Sequence, residues 1–419
     1  APVRRTAREA DQVAIDIRGI SEAEFRPWLD AVETAFGEAL TDAQHEEARR
    51  VFEVERVLAA YDGERCVGGG AAFSFDLSVP GRGLLPTAGV TAVGVMPTHR
   101  RRGILRRMMK LLLDDARRRG EPLAALWASE GVIYQRFGYG AASVNGGFDL
   151  PKRRAEFRLA SEPVGGVRLI DREEAARMFP PIYDQVMRES PGFYTRHADW
   201  WADWLADPEH RRRGASVKFY ALYERDGQPA GYASYRIKHD FGADEPRSEV
   251  RILEALALDP PAMREVWRYL LGIDLVDRVV QRLGPPDQPL LLQLSQPELL
   301  GLKINDGLWL RLLDVPAALA GRGYAADGEL VLDVIDEFMP ECAGRWRLRV
   351  SDGKAAVEPT TDGPDLLLET NDLASVYLGG FSFSDLARAG RGAETSPGAR
   401  ARADRIFATD RKPWCPQIF

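Results

Sequence analysis

One stretch of the chain limits the possible folds more than any other, and it reads VTAVGVMPTHRRRGILR over residues 90–106. A β-branched strand runs into a basic turn that contains Gly103, and a helix with apolar residues at helical spacing begins near Ile104. The first turn of a helix offers unpaired N–H groups and a partial positive charge, which together bind anions. Gly103 lets a ligand approach the backbone because it lacks a β-carbon. The pattern predicts a phosphate-binding turn between a strand and a helix.

Four arginines strengthen this prediction because each supplies a full charge and paired donors for phosphate oxygens. They are Arg100, Arg101, Arg102 and Arg106. The spacing Arg100-x-x-Gly103-x-Leu105 resembles the acyl-CoA signature of the GNAT N-acetyltransferases, although Leu105 replaces the small residue of that signature. A solvated, basic helix start is the alternative interpretation of the arginines taken alone.

Length and composition narrow the class of protein. A chain of 419 residues is too long for one compact domain, so two or three domains are expected. The formal net charge of −7 argues against general nucleic-acid binding, which needs a basic surface. The three cysteines show neither metal-ligand nor disulfide spacing, and no apolar run reaches about 18 residues. We therefore expect no metal site, no nucleic-acid partner, no membrane span and a cytoplasmic location.

Hydrophobic periodicity divides the chain into three segments, which are predicted as domains over residues 1–152, 153–300 and 301–419. The first two segments share one order of elements, namely a hairpin, a strand, a turn and a helix, and each is predicted as an α/β layer. The third segment has successive strands with Asp-Gly turns and later helices, which indicates an α+β unit. The sequence therefore predicts an internal duplication of one fold, followed by a different domain.

The second copy differs from the first at the turn that precedes its helix. It carries Asp259, Pro260 and Pro261 where the first copy carries arginines and a glycine. Proline removes backbone donors, and an aspartate has the wrong charge for phosphate. The second copy is therefore predicted to be degenerate, to bind no CoA and to serve a structural role.

A second group of motifs begins at residues 127–140, which read WASEGVIYQRFGYG. Here the chain resembles the Eis family, the actinobacterial acetyltransferases related to the enhanced-intracellular-survival protein. Matching motifs lie in all three segments, so the resemblance covers nearly the whole chain. They occupy Leu85–Gly89, Val95–Gly103, Ala128–Gly131, Ile133–Gly140, Asp306–Arg311, Val315–Tyr324 and Tyr377–Gly380.

The resemblance implies two tandem GNAT-like domains, the second of them degenerate, and a C-terminal sterol-carrier-like α+β domain. It also implies acetyl transfer from acetyl-CoA to small-molecule amines, including those of aminoglycosides, by a homo-hexamer. In the family a tyrosine is the general acid and the C-terminal carboxylate is the general base, and these roles fall on Tyr134 and Phe419. The family's contacts to acetyl-CoA fall on Val93, Gly94, Val95, Arg101, Arg102, Gly103, Ile104, Leu105, Arg106, Ser129 and Glu130.

These roles agree with the chemistry of amide formation from a thioester. A tyrosine with a pKa near 10 stays protonated at neutral pH and is able to donate to a leaving thiolate. A terminal carboxylate, with an ordinary pKa of about 3.5, becomes a useful base only when burial raises that pKa. Backbone N–H groups of residues 93–95 are suited to polarise a thioester carbonyl, and Gly94 favours a bulged strand there.

Several alternatives stay open at this stage. Tyr139 is a rival proton donor, Tyr134 is equally suited to packing, and Glu130 is a rival base. Direct transfer is favoured over an acyl-enzyme because the sequence shows no nucleophile motif. The candidate carboxylates for holding a cationic substrate are Glu33, Glu38 and Asp306.

Two other functions compete with acetylation of polycationic small molecules. The first is a GNAT enzyme that acts on lysine, polyamines or other metabolite amines. The second is a non-enzymatic protein that binds acyl-CoA or lipid through its third domain.

Overall fold

The structure is a computed structural model, and it describes residues 15–240 and 248–419. In the first segment the strands are β1 (Asp16–Gly19), β2 (Val57–Asp62), β3 (Arg65–Val79), β4 (Gly83–Val95), β5 (Leu123–Trp127), β6 (Gly140–Ala141) and β7 (Val144–Pro151). The helices of this segment are α1 (Phe25–Phe36), α2 (Asp42–Val51), α3 (Ile104–Arg118) and α4 (Gly131–Gln135). The predicted strand, turn and helix over residues 90–106 are confirmed, and α3 begins at Ile104.

The second segment repeats the hairpin, strand and helix of the first. Its strands are β8 (Gly166–Ile170), β9 (Phe219–Arg225), β10 (Gln228–Lys238), β11 (Glu249–Ala257) and β12 (Arg278–Gln281). Its helices are α5 (Arg172–Arg188), α6 (Ala198–Leu205), α7 (Pro260–Gly272) and α8 (Leu290–Gln293).

The third segment combines a curved run of strands with short helices. Its strands are β13 (Lys303–Asp306), β14 (Leu308–Leu312), β15 (Gly328–Ile335), β16 (Gly344–Ser351), β17 (Lys354–Pro359), β18 (Leu366–Glu369) and β19 (Ala393–Glu394). Its helices are α9 (Val315–Gly321), α10 (Thr370–Tyr377), α11 (Phe383–Arg388) and α12 (Ala399–Phe407).

Across residues 15–240 and 248–419, the strands form three sheets. The first has the order β1-β2-β3-β4-β5-β14-β6, and the second has the matching order β8-β9-β10-β11-β12-β7-β13. In each, four antiparallel strands are followed by one parallel pair, β4 with β5 or β11 with β12. The third sheet has the order β17-β16-β15-β18-β19. The predicted duplication of an α/β unit and the α+β third unit are both confirmed.

The sheets cross the segment boundaries predicted from the sequence at both junctions. β7 belongs to the second sheet, where its residues pair with β12 and β13. β14 belongs to the first sheet, where it pairs with β5 and β6. Each sheet is thus completed by a strand that lies beyond the expected boundary in the chain. Hydrophobic periodicity along the chain does not show which sheet a strand joins, because strand pairing is decided by non-local hydrogen bonds.

The end of β3 joins the two duplicated units through backbone hydrogen bonds. The N–H of Ser78 donates to the carbonyl of Phe193 at 2.7 Å, and the N–H of Thr195 donates to the carbonyl of Asp76 at 3.0 Å. A bridge between Leu77 and Tyr194 lies between these bonds. The edge of the first sheet is therefore covered by a loop of the second segment, and this loop is brought close to β4.

Helix α1 packs on the outer face of the first sheet. Its buried residues include Phe25, Trp28 and Val32, which recur at helical spacing. The indole N–H of Trp28 donates to the carbonyl of Leu58 at 3.1 Å, so its one polar atom is satisfied inside the core. In the part of the chain that the structure describes, no helix has the length and apolar character needed to cross a bilayer.

Candidate active site

The candidate site lies where β4 diverges from β5. β4 pairs with β3 along its full length, whereas its pairing with β5 is confined to Thr87–Gly89 against Leu123–Ala125. Among the described strands, none pairs with the β5-facing edge of β4 beyond Gly89. The two strands therefore open a cleft, and the predicted contact residues Val93–Val95 lie along one side of it.

The diverging part of β4 contains a backbone irregularity. The register between β3 and β4 shifts between Gly69 and Ala71, and Ala92 adopts a left-handed conformation with a φ of 51°. Such a conformation is strained for a residue with a β-carbon. Gly94 is buried against α1, where an added β-carbon would lie 3.1 Å from the Cβ of Ala35. The predicted bulge is present, but the left-handed residue is Ala92 and not Gly94.

The turn between β4 and α3 presents both backbone and guanidinium groups to solvent. Arg101 and Gly103 have positive φ angles of 63° and 78°. Gly103 is the N-cap of α3, and no described side chain caps this helix. Arg101 and Arg102 are exposed, and an added β-carbon at Gly103 would meet nothing within 4 Å. The guanidinium of Arg102 lies 3.5 Å from a carboxylate oxygen of Asp62. The turn therefore combines an uncapped helix N-terminus with the exposed Arg101 and the paired Arg102, which suits the phosphates of a nucleotide.

Three predicted contact residues on α3 differ in what they can offer to a ligand. Ile104 is 2% exposed and packs in the core, so only its backbone is available. Leu105 is half-buried and packs against the same core. Arg106 is exposed, and its guanidinium lies over the ring of Phe338 of the third segment at 4.8 Å. This stacking orients Arg106 and ties the third segment to the helix.

Arg100, the first arginine of the motif, supports the turn itself. It donates from Nε to the carbonyl of Val95 at 3.2 Å and from its guanidinium to the carbonyl of Ala35 at 2.9 Å. His99 also serves the loop, since its Nε2 lies 3.1 Å from a carboxylate oxygen of Asp62. These contacts hold β4, the turn and α1 together.

Tyr134 lies on α4, shortly after β5 ends. Its side chain is 6% exposed, and burial raises the pKa of its phenol above the ordinary value. A hydrogen bond with Ser129 lowers this pKa, and the charge of Glu130 raises it. Tyr134 belongs to the apolar cluster against which Val93 packs. A phenol that is protonated at neutral pH therefore lies beside the diverging strands, with Ser129 and Glu130 exposed next to it.

Tyr139, the rival proton donor, is enclosed more completely. Its ring meets that of Tyr134 edge to face, with 6.2 Å between the centroids. Tyr139 is fully buried, and burial raises the pKa of its phenol well above the ordinary value, against a small opposing effect of Arg311. Within the described residues its hydroxyl has no hydrogen-bond partner. Tyr139 therefore supports the ring of Tyr134 from the core side.

The C-terminal residue is docked on the first domain. The ring of Phe419 packs edge-on against Phe75 at 4.8 Å and against Tyr194 at 5.4 Å between centroids. Phe75 in turn covers Gly89, where its ring leaves no room for a β-carbon. Gly89 is the last residue of β4 that pairs with β5. The end of the chain is therefore seated at the point where the two strands diverge.

The tail that leads to Phe419 is fastened by contacts to β7 and to the loop of the second segment that contains Pro191 and Phe193. The backbone N–H of Cys415 donates to Oδ1 of Asn145 in β7 at 3.3 Å. The N–H of Trp414 donates to the carbonyl of Pro191 at 3.2 Å, and its ring packs at a right angle on Phe193. These bonds restrict where the terminal residue can lie.

The aromatic seat of the tail, Phe75 and Tyr194, was not identified by the sequence analysis. The two residues lie more than a hundred positions apart and belong to no shared motif. The available signal was the apolar character of the tail itself, with Trp414 and Phe419 near its end.

Two acidic residues lie at the end of helix α1, Glu33 in its last turn and Glu38 just beyond it. Burial raises the pKa of the Glu33 carboxyl, and the nearby charge of Glu38 raises it further. The ring of Phe36, between them in sequence, lies 3.5 Å from the position of a β-carbon at Gly94. This end of α1 therefore adjoins the diverging part of β4 and contributes negative charge there.

Asp306 reaches the neighbourhood of α4 from the third segment. Its carboxylate accepts a hydrogen bond from the indole N–H of Trp309 at 3.0 Å. The ring of Trp309 lies against Gly131, where a β-carbon would approach it to 2.9 Å. The exposed Asp306 is thus held near the first residue of the helix that carries Tyr134.

The described histidines, cysteines and carboxylates do not group into a metal site. Within residues 15–240 and 248–419, no three of them are placed so that they could hold an ion.

Family models match each of the three segments of the chain. Two family models described as acetyltransferase (GNAT) domains match residues 16–142 and 192–312, and one described as a sterol carrier protein domain matches residues 315–416. The fold is thus that of a GNAT acetyltransferase with two GNAT domains and a sterol-carrier-like domain.

Individual relatives show which family of GNAT acetyltransferases the chain belongs to. An uncharacterized N-acetyltransferase of Streptomyces avermitilis is 39% identical over 409 residues, which cover 96% of this chain and 99% of that protein. The N-acetyltransferase Eis of Mycobacterium tuberculosis is 37% identical over 357 residues, 83% of this chain and 84% of that protein. The crystal structure of Eis1 from Mycobacterium abscessus has a TM-score of 0.85 at 32% identity and covers 97% of this chain and 100% of its own. The chain belongs to the Eis family of GNAT N-acetyltransferases.

Proposed function

We propose that this protein transfers an acetyl group from acetyl-CoA to a primary amine of a small polycationic molecule such as an aminoglycoside. The observation that carries the proposal is the pairing of two groups across one cleft. Tyr134 belongs to the apolar cluster against which Val93 packs, and the ring of Phe419 packs on Phe75, which covers Gly89, the last residue of β4 that pairs with β5. The cleft thus has a phenol and a chain terminus available for two proton transfers.

Acetyl-CoA fits the cleft because of the donor groups at its rim. The uncapped first turn of α3 and the exposed Arg101 and Arg102 suit the pyrophosphate, with Arg106 beside them. The unpaired edge of Val93–Val95 suits an extended, amide-containing arm, which is able to pair with it as a strand would. Ser129 and Glu130, exposed after β5, border the opposite side. Acetyl-CoA would supply the acetyl group as a thioester.

Tyr134 is proposed as the general acid. In the reaction the neutral amine nitrogen bonds to the acetyl carbon, the carbon–sulfur bond breaks, and the departing sulfur takes a proton from the phenol. The nitrogen loses a further proton as the amide forms, and this proton restores the phenol of Tyr134. Because burial raises the pKa of Tyr134, its hydroxyl keeps the proton until a stronger base forms nearby. The backbone N–H groups of Val93–Val95 are suited to stabilise the charge on the carbonyl oxygen.

The carboxylate of Phe419 is proposed as the general base. It would accept the proton that the ammonium form of the substrate must lose before it reacts. The contacts of its ring with Phe75 and Tyr194 fix the position of Phe419 beside the diverging strands. Glu33, Glu38 and Asp306 add negative charge that attracts a polycationic substrate.

The decisive experiment measures steady-state CoA release with a panel of aminoglycosides for the natural chain and for a chain extended beyond Phe419. We expect activity on at least one aminoglycoside in the natural chain. The extension converts the terminal carboxylate into an amide, so kcat is expected to fall about a hundredfold or more while acetyl-CoA still binds.

Two outcomes would contradict parts of this proposal. Full activity of the extended chain would remove the terminal carboxylate as the base and leave Glu130 as the next residue to test. Inactivity of the natural chain on every aminoglycoside, with acetyl-CoA binding intact, would exclude this substrate class. Polyamines and lysine peptides would then be tested, since the same cleft accepts any amine that reaches it.

Assembly and location complete the proposal. The protein is proposed to form a homo-hexamer, on the basis of its resemblance to the Eis family, and to be cytoplasmic, on the basis of its three scattered cysteines. Analytical ultracentrifugation of the purified protein tests the hexamer, and a single species at the mass of one 46.6 kDa chain would contradict it.

A further inference from the structure

The second duplicated unit reaches the end of the chain through one loop between α5 and α6. We name residues 190–196 the seat loop, because Tyr194 within it packs on Phe419. The ring of Tyr194 also stacks on that of Phe75, with 4.4 Å between the centroids. Its hydroxyl has no hydrogen-bond partner among the described residues, so this side chain has no polar anchor of its own. Where the ring lies therefore depends on the backbone of the seat loop.

The C-terminal tail lies directly on the seat loop. Gly192 has a φ of 98°, and a β-carbon there would lie 2.7 Å from the carbonyl oxygen of Trp414. On either side of Gly192, the carbonyl of Pro191 accepts from the N–H of Trp414 and the ring of Phe193 packs on its indole. A displacement of the loop is therefore expected to displace the tail, because the contact between them leaves no gap.

Two side chains bind the seat loop to the core of the second unit. The hydroxyl of Tyr183, in α5, donates to the carbonyl of Tyr194 at 2.8 Å. Arg196 donates from both terminal nitrogens to the carboxylate of Glu254, at 3.1 and 2.6 Å, and the two side chains are 0% and 1% exposed. The guanidinium of Arg196 also lies 4.1 Å from the ring centre of Tyr183. Tyr183, Arg196 and Glu254 thus form one buried group, the clamp.

Glu254 lies where β11 has diverged from its neighbour. β11 runs to Ala257, whereas its parallel pairing with β12 ends at Ile252, so the second unit contains a second cleft. The carboxylate of Glu254 also accepts from the hydroxyl of Tyr232 in β10 at 2.6 Å. A buried carboxylate with three donors is held rigidly. The diverging strand, which borders the proposed acetyl-CoA cleft in the first unit, therefore carries an anchor of the seat loop in the second.

We propose that Tyr183, Arg196 and Glu254 are positioning residues for acetyl transfer, which hold the seat loop so that Phe419 keeps its carboxylate at the first cleft. The inference rests on the proposed role of that carboxylate as the general base. A base must lie within hydrogen-bonding reach of the proton that it accepts, so a shift of the tail by about 1 Å is expected to slow the reaction. The second unit would then take part in the reaction through its core, without a ligand of its own.

The test compares two tyrosines that make the same kind of bond in the same unit. Tyr183→Phe removes the donor to the seat loop and keeps the ring. Tyr220→Phe is the matched control, because the buried hydroxyl of Tyr220 donates to the carbonyl of Leu205 at 2.5 Å, at the end of α6 and outside the seat loop. Each change deprives one buried carbonyl of its donor, so the two variants are expected to lose similar stability.

Steady-state CoA release is expected to separate the two variants. In Tyr183→Phe, kcat is expected to fall about tenfold with the KM for acetyl-CoA unchanged, because the basic turn of the first unit stays intact. Tyr220→Phe is expected to keep both constants within about twofold of the natural chain. In the chain extended beyond Phe419, Tyr183→Phe is expected to cause no further loss, since both changes act on the same carboxylate.

A second measurement follows the tail without any substrate. Cys415 is 0% exposed, and burial raises the pKa of its thiol to about 12, so iodoacetamide is expected to reach it only when the tail is released. Cys342, which is 4% exposed and lies outside the tail, reports a general loosening of the fold. Peptide mass spectrometry is expected to show about tenfold faster alkylation of Cys415 in Tyr183→Phe, with Cys342 unchanged.

Glu254→Gln leaves the buried Arg196 without its counter-charge, and is expected to produce the same two effects more strongly. The proposal is overturned if Tyr183→Phe and Tyr220→Phe give equal kcat and equal alkylation of Cys415. Faster alkylation with an unchanged kcat would overturn the role in acetyl transfer. Full activity of the extended chain would overturn the proposed base and with it this role, whereas the alkylation of Cys415 would still decide whether the clamp holds the tail.

Discussion

The two duplicated units contain the same strand divergence but surround it with opposite chemistry. In the first, β4 leads into an exposed turn in which Arg101 and Gly103 have positive φ angles and the helix is uncapped. In the second, β11 leads into Asp259, which caps α7, and two prolines follow. The comparison teaches that the sheet provides only an opening, and that the turn after the strand decides which backbone donors and charges border it.

The largest expected effect distinguishes the two tyrosines beside the first cleft. Tyr134→Phe removes the proposed proton donor while keeping the ring, so kcat is expected to fall about a hundredfold or more, with the dissociation constant of acetyl-CoA unchanged. Tyr139→Phe is the matched control, because its hydroxyl is fully buried and unpaired within the described chain. Its activity is expected to stay within about twofold of the natural chain. The reverse result would transfer the role of proton donor to Tyr139. Steady-state CoA release measures both.

A smaller effect is expected from the basic turn. Arg102→Ala removes one exposed guanidinium next to the uncapped helix, and the KM for acetyl-CoA is expected to rise about tenfold because one charge-assisted contact to phosphate is lost. The control is Arg213→Ala, which removes an exposed arginine from the second unit. An equal rise of KM in both variants would show that net charge, and not the turn, attracts the nucleotide.

A substitution in the corresponding turn of the second unit is expected to change the stability of the protein and not its affinity for acetyl-CoA. Asp259→Ala removes a helix cap, and the free energy of unfolding is expected to fall by about 1 kcal/mol. The KM for acetyl-CoA is expected to stay unchanged. Thermal unfolding and steady-state kinetics measure the two quantities. A raised KM in this variant would mean that the second cleft takes part in nucleotide binding, and the contrast between the clefts would fail.

The smallest expected effect is on the pH dependence of the free energy of unfolding. Burial raises the pKa of Tyr139 far above that of a tyrosine in the unfolded chain, which is about 10. The stability this gives is fully present below pH 10 and is lost as the pH rises further, because only the unfolded chain releases the proton. At pH 11 the natural chain is therefore expected to have lost about 1 kcal/mol that Tyr139→Phe keeps. Urea unfolding at pH 8 and pH 11 measures this difference, and identical pH dependence in both chains would contradict it.

Much of the first cleft was predictable because its signals are local. The β-branched run, the glycine and the apolar spacing after Ile104 predicted the strand, turn and helix in their observed places. The lack of backbone donors at the start of α7 was predictable from Pro260 and Pro261, since an absent N–H is a property of the residue itself. That the second copy binds no CoA stays a prediction.

Other features could not be predicted because they depend on residues far apart in the chain. The bulge was expected at Gly94, yet Gly94 is needed for the close approach of α1, and the left-handed conformation falls on Ala92. The exchange of β7 and β14 between the sheets also left no signal in the periodicity, because a strand has the same pattern whichever sheet it joins.

The sequence by itself determined the character of each turn and the class of fold, because backbone donors, left-handed glycines and helix caps are set within a few residues. Only the tertiary structure decided which groups meet at the cleft. The seat of Phe419 is made by Phe75 from the first unit and Tyr194 from the second, and the loop that carries Tyr194 is held there by backbone bonds to β3. The contact between these three aromatic rings depends on how distant segments pack together, and that packing is a property of the whole chain.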